Sequence, residues 1–102
     1  MEKTFKVDHK RGETLDSFTF HGNVDAHAES CLRELPALVA RQAVQIDFSA
    51  AGRINSMGIA LLLRCFKGIR EEKKAMITVS GLSPMHSTLF KMTGIFLMVT
   101  PA

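Results

Sequence analysis

The stretch Val44-Gln45-Ile46-Asp47-Phe48-Ser49-Ala50-Ala51-Gly52-Arg53-Ile54-Asn55-Ser56-Met57-Gly58 carries the chain from an apolar strand into an apolar helix. Val44 to Phe48 alternates and is rich in β-formers, and its near-continuous apolar character suits a central strand. Downstream, Ile59, Leu62, Leu63, Phe66 and Ile69 recur at helical spacing and predict an amphipathic helix over Met57 to Glu72. Ser56 then falls near the amino end of that helix, where unpaired N–H groups and the helix dipole favour negative charge. A phosphate added there is tolerated by the fold yet alters the surface sharply. Such a position suits a switch better than a catalyst.

Working outward, Thr4 to His9 and Thr14 to Phe20 read as two short strands joined by a turn around Arg11-Gly12. Phe18 and Phe20 share one face of the second strand, which marks that face as buried. Gly22-Asn23-Val24-Asp25 ends the strand and offers Asn23 or Asp25 as a helix cap. A first helix follows with Cys31, Leu32 and Leu35 on one side, and Pro36 is expected to kink or restart it. Met76 to Ser80 is a further strand. Ser83-Pro84 caps and opens a last helix that runs to about Thr93 and stops at Gly94. Ile95 to Val99 supplies a final apolar strand or turn. The order predicts a single α/β domain over residues 1–102, a mixed sheet of four to five strands with helices packed against it.

At 102 residues the chain has room for one core. Its 46% apolar and 23% charged residues are those of an ordinary globular protein. The absence of Trp and Tyr removes the side chains most used for stacking on bases, and the net charge of +3 is spread rather than clustered. Direct nucleic-acid binding is therefore disfavoured. Arg64 to Lys74, interrupted by Glu71 and Glu72, reads as a solvated helix face. Cys31 and Cys65 lie on apolar helix faces outside any Cys-x-x-Cys motif and read as buried free thiols of a cytoplasmic protein. The longest apolar runs fall well short of the ~20 residues that would insert into a membrane.

Catalytic and metal chemistries find little support. Ser56 lacks the Gly-x-Ser-x-Gly elbow, and no histidine stands near it in sequence. His9, His21, His27 and His86 show no metal-ligand spacing, and no phosphate-binding glycine loop occurs. No cofactor is expected. Met85, Met92 and Met98 read as gap-fillers around the last helix.

Three segments together resemble the STAS family, the anti-sigma-factor antagonist domains of bacteria. Phe20-His21-Gly22-Asn23-Val24-Asp25 is similar to that family's strand-end "Gly-Glu-Leu-Asp". Ile46-Asp47-Phe48-Ser49 with Ile54-Asn55-Ser56-Met57-Gly58 resembles its "Asp-Leu-Ser … Ile-Asp-Ser-x-Gly", and Gly81-Leu82-Ser83-Pro84 with Thr93-Gly94-Ile95 resembles its third-helix region. The resemblance implies a mixed sheet and a binding switch rather than an enzyme. It implies that a serine kinase that is itself the anti-sigma factor phosphorylates Ser56, that the unphosphorylated form binds that partner, and that a phosphatase restores it. The partner surface it implies includes Asn23, Asp25, Ser49, Asn55, Met57 and Gly58, and it admits a homodimer. The alternative is a STAS regulatory subunit, never phosphorylated, of a larger assembly such as a membrane transport complex. The chain departs from the pattern at Asn55, where the family has Asp, and at Met57, where a small residue is common.

Overall fold

The computed structural model describes residues 4–102. Its elements are β1 (Lys6–Arg11), β2 (Leu15–Val24), a 3-10 turn (Ala26–Ala28), α1 (Glu29–Leu38), β3 (Ala43–Ile54) and α2 (Ser56–Glu72). After them come β4 (Met76–Ser80), α3 (Pro84–Thr93), a second 3-10 turn (Ile95–Leu97) and β5 (Thr100–Pro101). The five strands form one mixed sheet in the order β1-β2-β3-β4-β5. β1 and β2 are an antiparallel hairpin, and every later pairing is parallel.

That order explains the layering. The crossovers through α1, α2 and α3 all advance the sheet in the same direction, so a single handedness puts all three helices on one face. Leu32 of α1, Leu62 of α2 and Phe90 of α3 accordingly join one buried cluster with Phe18, Ile46 and Val79 of the sheet. The other face is polar and half-buried, as in the cross-strand row Ser17, Gln45, Thr78. Edge-to-face aromatic contacts run through the core from Phe5 to Phe20 (5.2 Å), Phe48 (5.1 Å), Phe90 (5.3 Å) and Phe96 (5.8 Å). Each such pair adds about 0.5–1.5 kcal/mol beyond area burial. The chain of rings thus ties the hairpin to the last helix.

Asp16 secures the opposite end of the sheet from Ser56. It is fully buried, and its carboxylate accepts from His9 Nε2 (2.8 Å), Arg11 Nε (3.2 Å) and the N–H groups of Ala40 and Arg41 (both 2.8 Å). Burial alone would raise its pKa. The four donors outweigh that and hold the carboxyl well below the usual range. One side chain thereby fastens the hairpin to the α1–β3 loop.

Several elements differ from the sequence expectations, each for a visible reason. β1 covers Lys6 to Arg11, because its register follows β2 rather than its own composition. β2 continues through Gly22, which takes φ +82° in a bulge, and β3 continues past Phe48 to Ile54. Pro36 neither breaks nor restarts α1. It lies in the last turn, where little helix remains to disrupt, and its buried ring packs towards Gly68 of α2. Ile95 to Val99 is a 3-10 turn with a short tail, and the last strand follows it. Met85 and Met92 are not gap-fillers: they are 64% and 79% exposed. Cys31 and Cys65 are free, but only Cys65 is buried, and burial pushes its thiol pKa up to about 12.

Candidate functional site

The amino end of α2 is built on the last carbonyl of β2. Val24 O accepts the N–H of Asn55 at 3.2 Å, and an added Cβ at Gly58 would lie 2.0 Å from the same oxygen. Only glycine lets the helix start so close to the strand. Asn55, in extended conformation, is the N-cap, and its side-chain oxygen accepts the N–H of Gly58 at 2.8 Å. Ser56 is therefore the first helical residue. It is exposed, and its hydroxyl makes no hydrogen bond among the described residues.

The strand ends beside it are irregular for a reason. β3 holds more residues than β2 past Thr19, so the pairing shifts register twice. At the second shift Asn23 Oδ1 accepts the N–H of Arg53 at 2.9 Å, standing in for a lost ladder acceptor. Gly52 makes room for it, since a Cβ there would lie 2.2 Å from that oxygen. The carbonyl of Gly52 is held from the other side by His86. Ser83 N–H approaches His86 Nδ1 (3.5 Å) and Ser83 Oγ accepts the His86 N–H (3.1 Å), a capping box with histidine in the usual Glu or Gln place. With Nδ1 accepting, Nε2 carries the proton and donates to Gly52 O at 2.7 Å. The bulged strand, the α3 cap and the α2 cap form one connected frame.

Between the amino end of α2 and the flank of α3 lies a cavity of about 440 Å³, lined by Ile54, Asn55, Ser56, Ile59, Leu89 and Thr93. None of these residues is charged. Met57, 52% exposed, follows Ser56 in the first turn of α2, while Met85, Leu89 and Met92 fall at i, i+4 and i+7 along α3. The result is an apolar, adaptable surface with one free hydroxyl in its lining.

Of the residues expected at the site, Asn55, Ser56, Met57 and Gly58 are contiguous, and Asn23 flanks them through Arg53. Asp25 caps the 3-10 turn that leaves β2, accepting from His27 N–H at 2.9 Å. Ser49 stands five residues before Ile54 in β3. There its N–H donates to Asp47 Oδ1 (2.8 Å) against the turn at Gly81. Asn23 and Ser49 both lie within strands, β2 and β3, which the bulges prolong. Sequence reading missed Ile59, Leu89 and Thr93, whose helical periodicity looks like that of core residues, and His86. The spacing of Ser83 and His86 was the available signal for the latter. Among the described residues no three His, Cys, Asp or Glu side chains approach closely enough to hold a metal, and no helix is long and apolar enough to cross a membrane.

The STAS domain model matches residues 10–101, and the chain belongs to that family. Among curated proteins no significant sequence match occurs. Solved structures with the same fold include an anti-sigma factor antagonist from Mycobacterium paratuberculosis (17% identity, TM-score 0.76, covering 95% of this chain and 84% of that one). The Bacillus cell fate determinant SpoIIAA in its phosphorylated form is also similar (16% identity, TM-score 0.65, 96% and 90%). So is a sulfate transporter family protein from Wolinella succinogenes (11% identity, TM-score 0.74, 86% and 73%). At these identities the likeness concerns the fold.

Proposed function

We propose that this STAS domain is a partner-switching regulator of the anti-sigma-factor antagonist type, a cytoplasmic binding module and not an enzyme. Unphosphorylated, it binds an anti-sigma factor through the surface around Ser56. Phosphorylation of Ser56 by that partner's serine-kinase activity releases it, and a phosphatase restores binding. The observation that carries this reading is the free Ser56 hydroxyl in the lining of an uncharged groove, its capping role already taken by Asn55. In the forward step Ser56 Oγ bonds to the γ-phosphorus of a nucleoside triphosphate as the bridging P–O bond breaks. The hydroxyl proton passes to the kinase's base, and the diphosphate leaves. Water cleaves the Oγ–P bond in the reverse step, returning serine and inorganic phosphate.

The phosphate brings about −1.5 to −2 charges into a surface without compensating cations in its lining. A partner seated on Ile59, Leu89 and the methionines would then have to desolvate that charge. Binding is lost while the fold is kept. Asn23, Asp25, Asn55, Met57 and Gly58 belong to this surface or frame it, and Ser49 would be reached only by a partner that spans the sheet end.

The test is intact-mass analysis after incubation with the cognate kinase and ATP, paired with binding of that kinase by native, Ser56→Ala and Ser56→Glu proteins. One phosphate on the native chain and none on Ser56→Ala is expected, with binding lost in Ser56→Glu. Equal binding by Ser56→Glu and the native protein overturns the reading.

A second reading makes the domain the regulatory subunit of a membrane transport complex, with Ser56 packed in a permanent interface. The fold shared with the Wolinella protein and the neutral Asn55 favour it. Co-purification with a permease, and a Ser56 never modified in cells, would establish it in place of the first.

A further inference from the structure

The flanks of α1 and α2 line a half-open cavity of about 400 Å³ that shares no lining residue with the Ser56 groove. Its floor is apolar: Leu32 and Pro36 from α1, Leu61 and Cys65 from α2, all buried. Gly68 keeps the floor open. A Cβ there would come within 3.3 Å of the Pro36 ring, so the helices approach closely without a side chain between them. The volume lies within the range of small-molecule sites, which combine an apolar lining with a few convergent polar groups.

The rim supplies those groups. Arg33 stands on the α1 wall, and Arg64 and Lys73 on the α2 wall, with Glu29 and Glu72 also lining the cavity. None of the five takes part in an ion pair among the described residues, whose only bridges join histidines and Arg11 to Asp8, Asp16 and Asp25. The spacing that brings Pro36 beside Gly68 also brings Arg33 level with Arg64 in two parallel helices. Arg33 and Arg64 line the groove from opposite helices and both are exposed, so an anion seated between the helices meets a cation from each side. Three cations against two carboxylates leave a single net positive charge, complementary to a monoanion. A dianionic phosphate would face both glutamates.

We infer that the α1–α2 groove binds a small amphiphilic monocarboxylate, its apolar body on Leu32, Pro36, Leu61 and Cys65 and its carboxylate between Arg33 and Arg64. The guanidinium fork suits a carboxylate, and a charge-assisted pair of this kind is among the stronger hydrogen bonds. The site is independent of Ser56, so its occupancy and the switch reading stand or fall separately.

Amide NMR of the isotope-labelled protein during titration with decanoate, kept below its micelle concentration, tests this. Saturable shifts confined to residues 29–37 and 61–73 are expected. Affinity should fall about tenfold or more in Arg33→Gln/Arg64→Gln, whose exposed positions leave folding intact. Decyltrimethylammonium, with the same tail and opposite charge, should bind far more weakly. Equal binding of the two amphiphiles, undiminished binding by the double variant, shifts centred on Met57 and Met92, or no saturation at submillimolar decanoate would each overturn the inference.

Discussion

The side-chain oxygen of Asn55 accepts the N–H of Gly58 at 2.8 Å, which leaves Ser56, enclosed between them, with nothing to do for the helix. A serine at a helix start ordinarily earns its place by capping. Here the preceding residue does that, and the hydroxyl is free for chemistry at the surface.

The two neighbours should therefore separate cleanly in stability. Asn55→Ala removes the cap and should lower unfolding free energy by about 1 kcal/mol. Ser56→Ala should stay within about 0.5 kcal/mol of the native protein. Asn55→Asp keeps the acceptor and adds a charge that the helix dipole favours by about 0.3–1 kcal/mol. Urea unfolding of the three variants reads the ranking directly. A Ser56→Ala loss as large as that of Asn55→Ala would return Ser56 to a structural role.

Gly58 has no room for a side chain. Its Cβ would fall 2.0 Å from the carbonyl oxygen of Val24, a backbone atom that cannot swing away. Gly58→Ala should thus cost about 1–3 kcal/mol despite alanine's better helix propensity. It should also shift the amide signals of Asn55 and Ser56 in NMR spectra. A stabilised Gly58→Ala would show that α2 can retreat from β2 freely.

Asp16 makes folding acid-sensitive. Its carboxyl pKa is depressed in the folded state, so its contribution is complete above the unfolded value of about 4 and is lost as pH falls below it. Asp16→Ala leaves the N–H groups of Ala40 and Arg41 without their acceptor. It should cost on the order of 3 kcal/mol, short of a fully buried pair because His9 and Arg11 reach solvent. Denaturation curves from about pH 6 down to about pH 2, which span the titration of an unfolded carboxylate at about pH 4 and the range below it, should show a steeper acid loss for the native protein than for Asp16→Asn.

The two thiols should differ in reactivity. Burial holds Cys65 neutral, with its pKa pushed up to about 12, whereas Cys31 is only half-buried. A thiol reagent at neutral pH should label Cys31 quickly in the folded protein, and Cys65, held neutral at the floor of the α1–α2 groove, should react quickly only on unfolding. Counting labels by mass with and without urea decides it. Equal labelling rates in the folded state would mean that the Cys65 thiol is not held neutral by its surroundings.

Much of this architecture was legible in the residues. The alternation at Phe18 and Phe20, the apolar run at Val44 to Phe48 and the Ser83-Pro84 helix start each reflect local physics that acts before the chain is folded. Bulges are another matter. β2 and β3 run on past Gly22 and Phe48 because each finds hydrogen-bond partners on the other, and Asn23 reaches Arg53 across 30 positions of sequence. Met85 and Met92 looked like core residues because hydrophobicity does not say which side of a helix another element will cover.

The succession of strands and helices along the chain, the helix starts and the place of Ser56 at the head of α2 follow from short-range patterns of hydrophobicity and capping, and residue types along the chain are enough to set them. The freedom of the Ser56 hydroxyl, the His86 tie to Gly52, the burial of Asp16 and the facing of Arg33 and Arg64 across a groove arise otherwise. Each depends on segments distant in sequence meeting at fixed distances. Packing of the sheet against its helices creates those distances, and no local pattern encodes them.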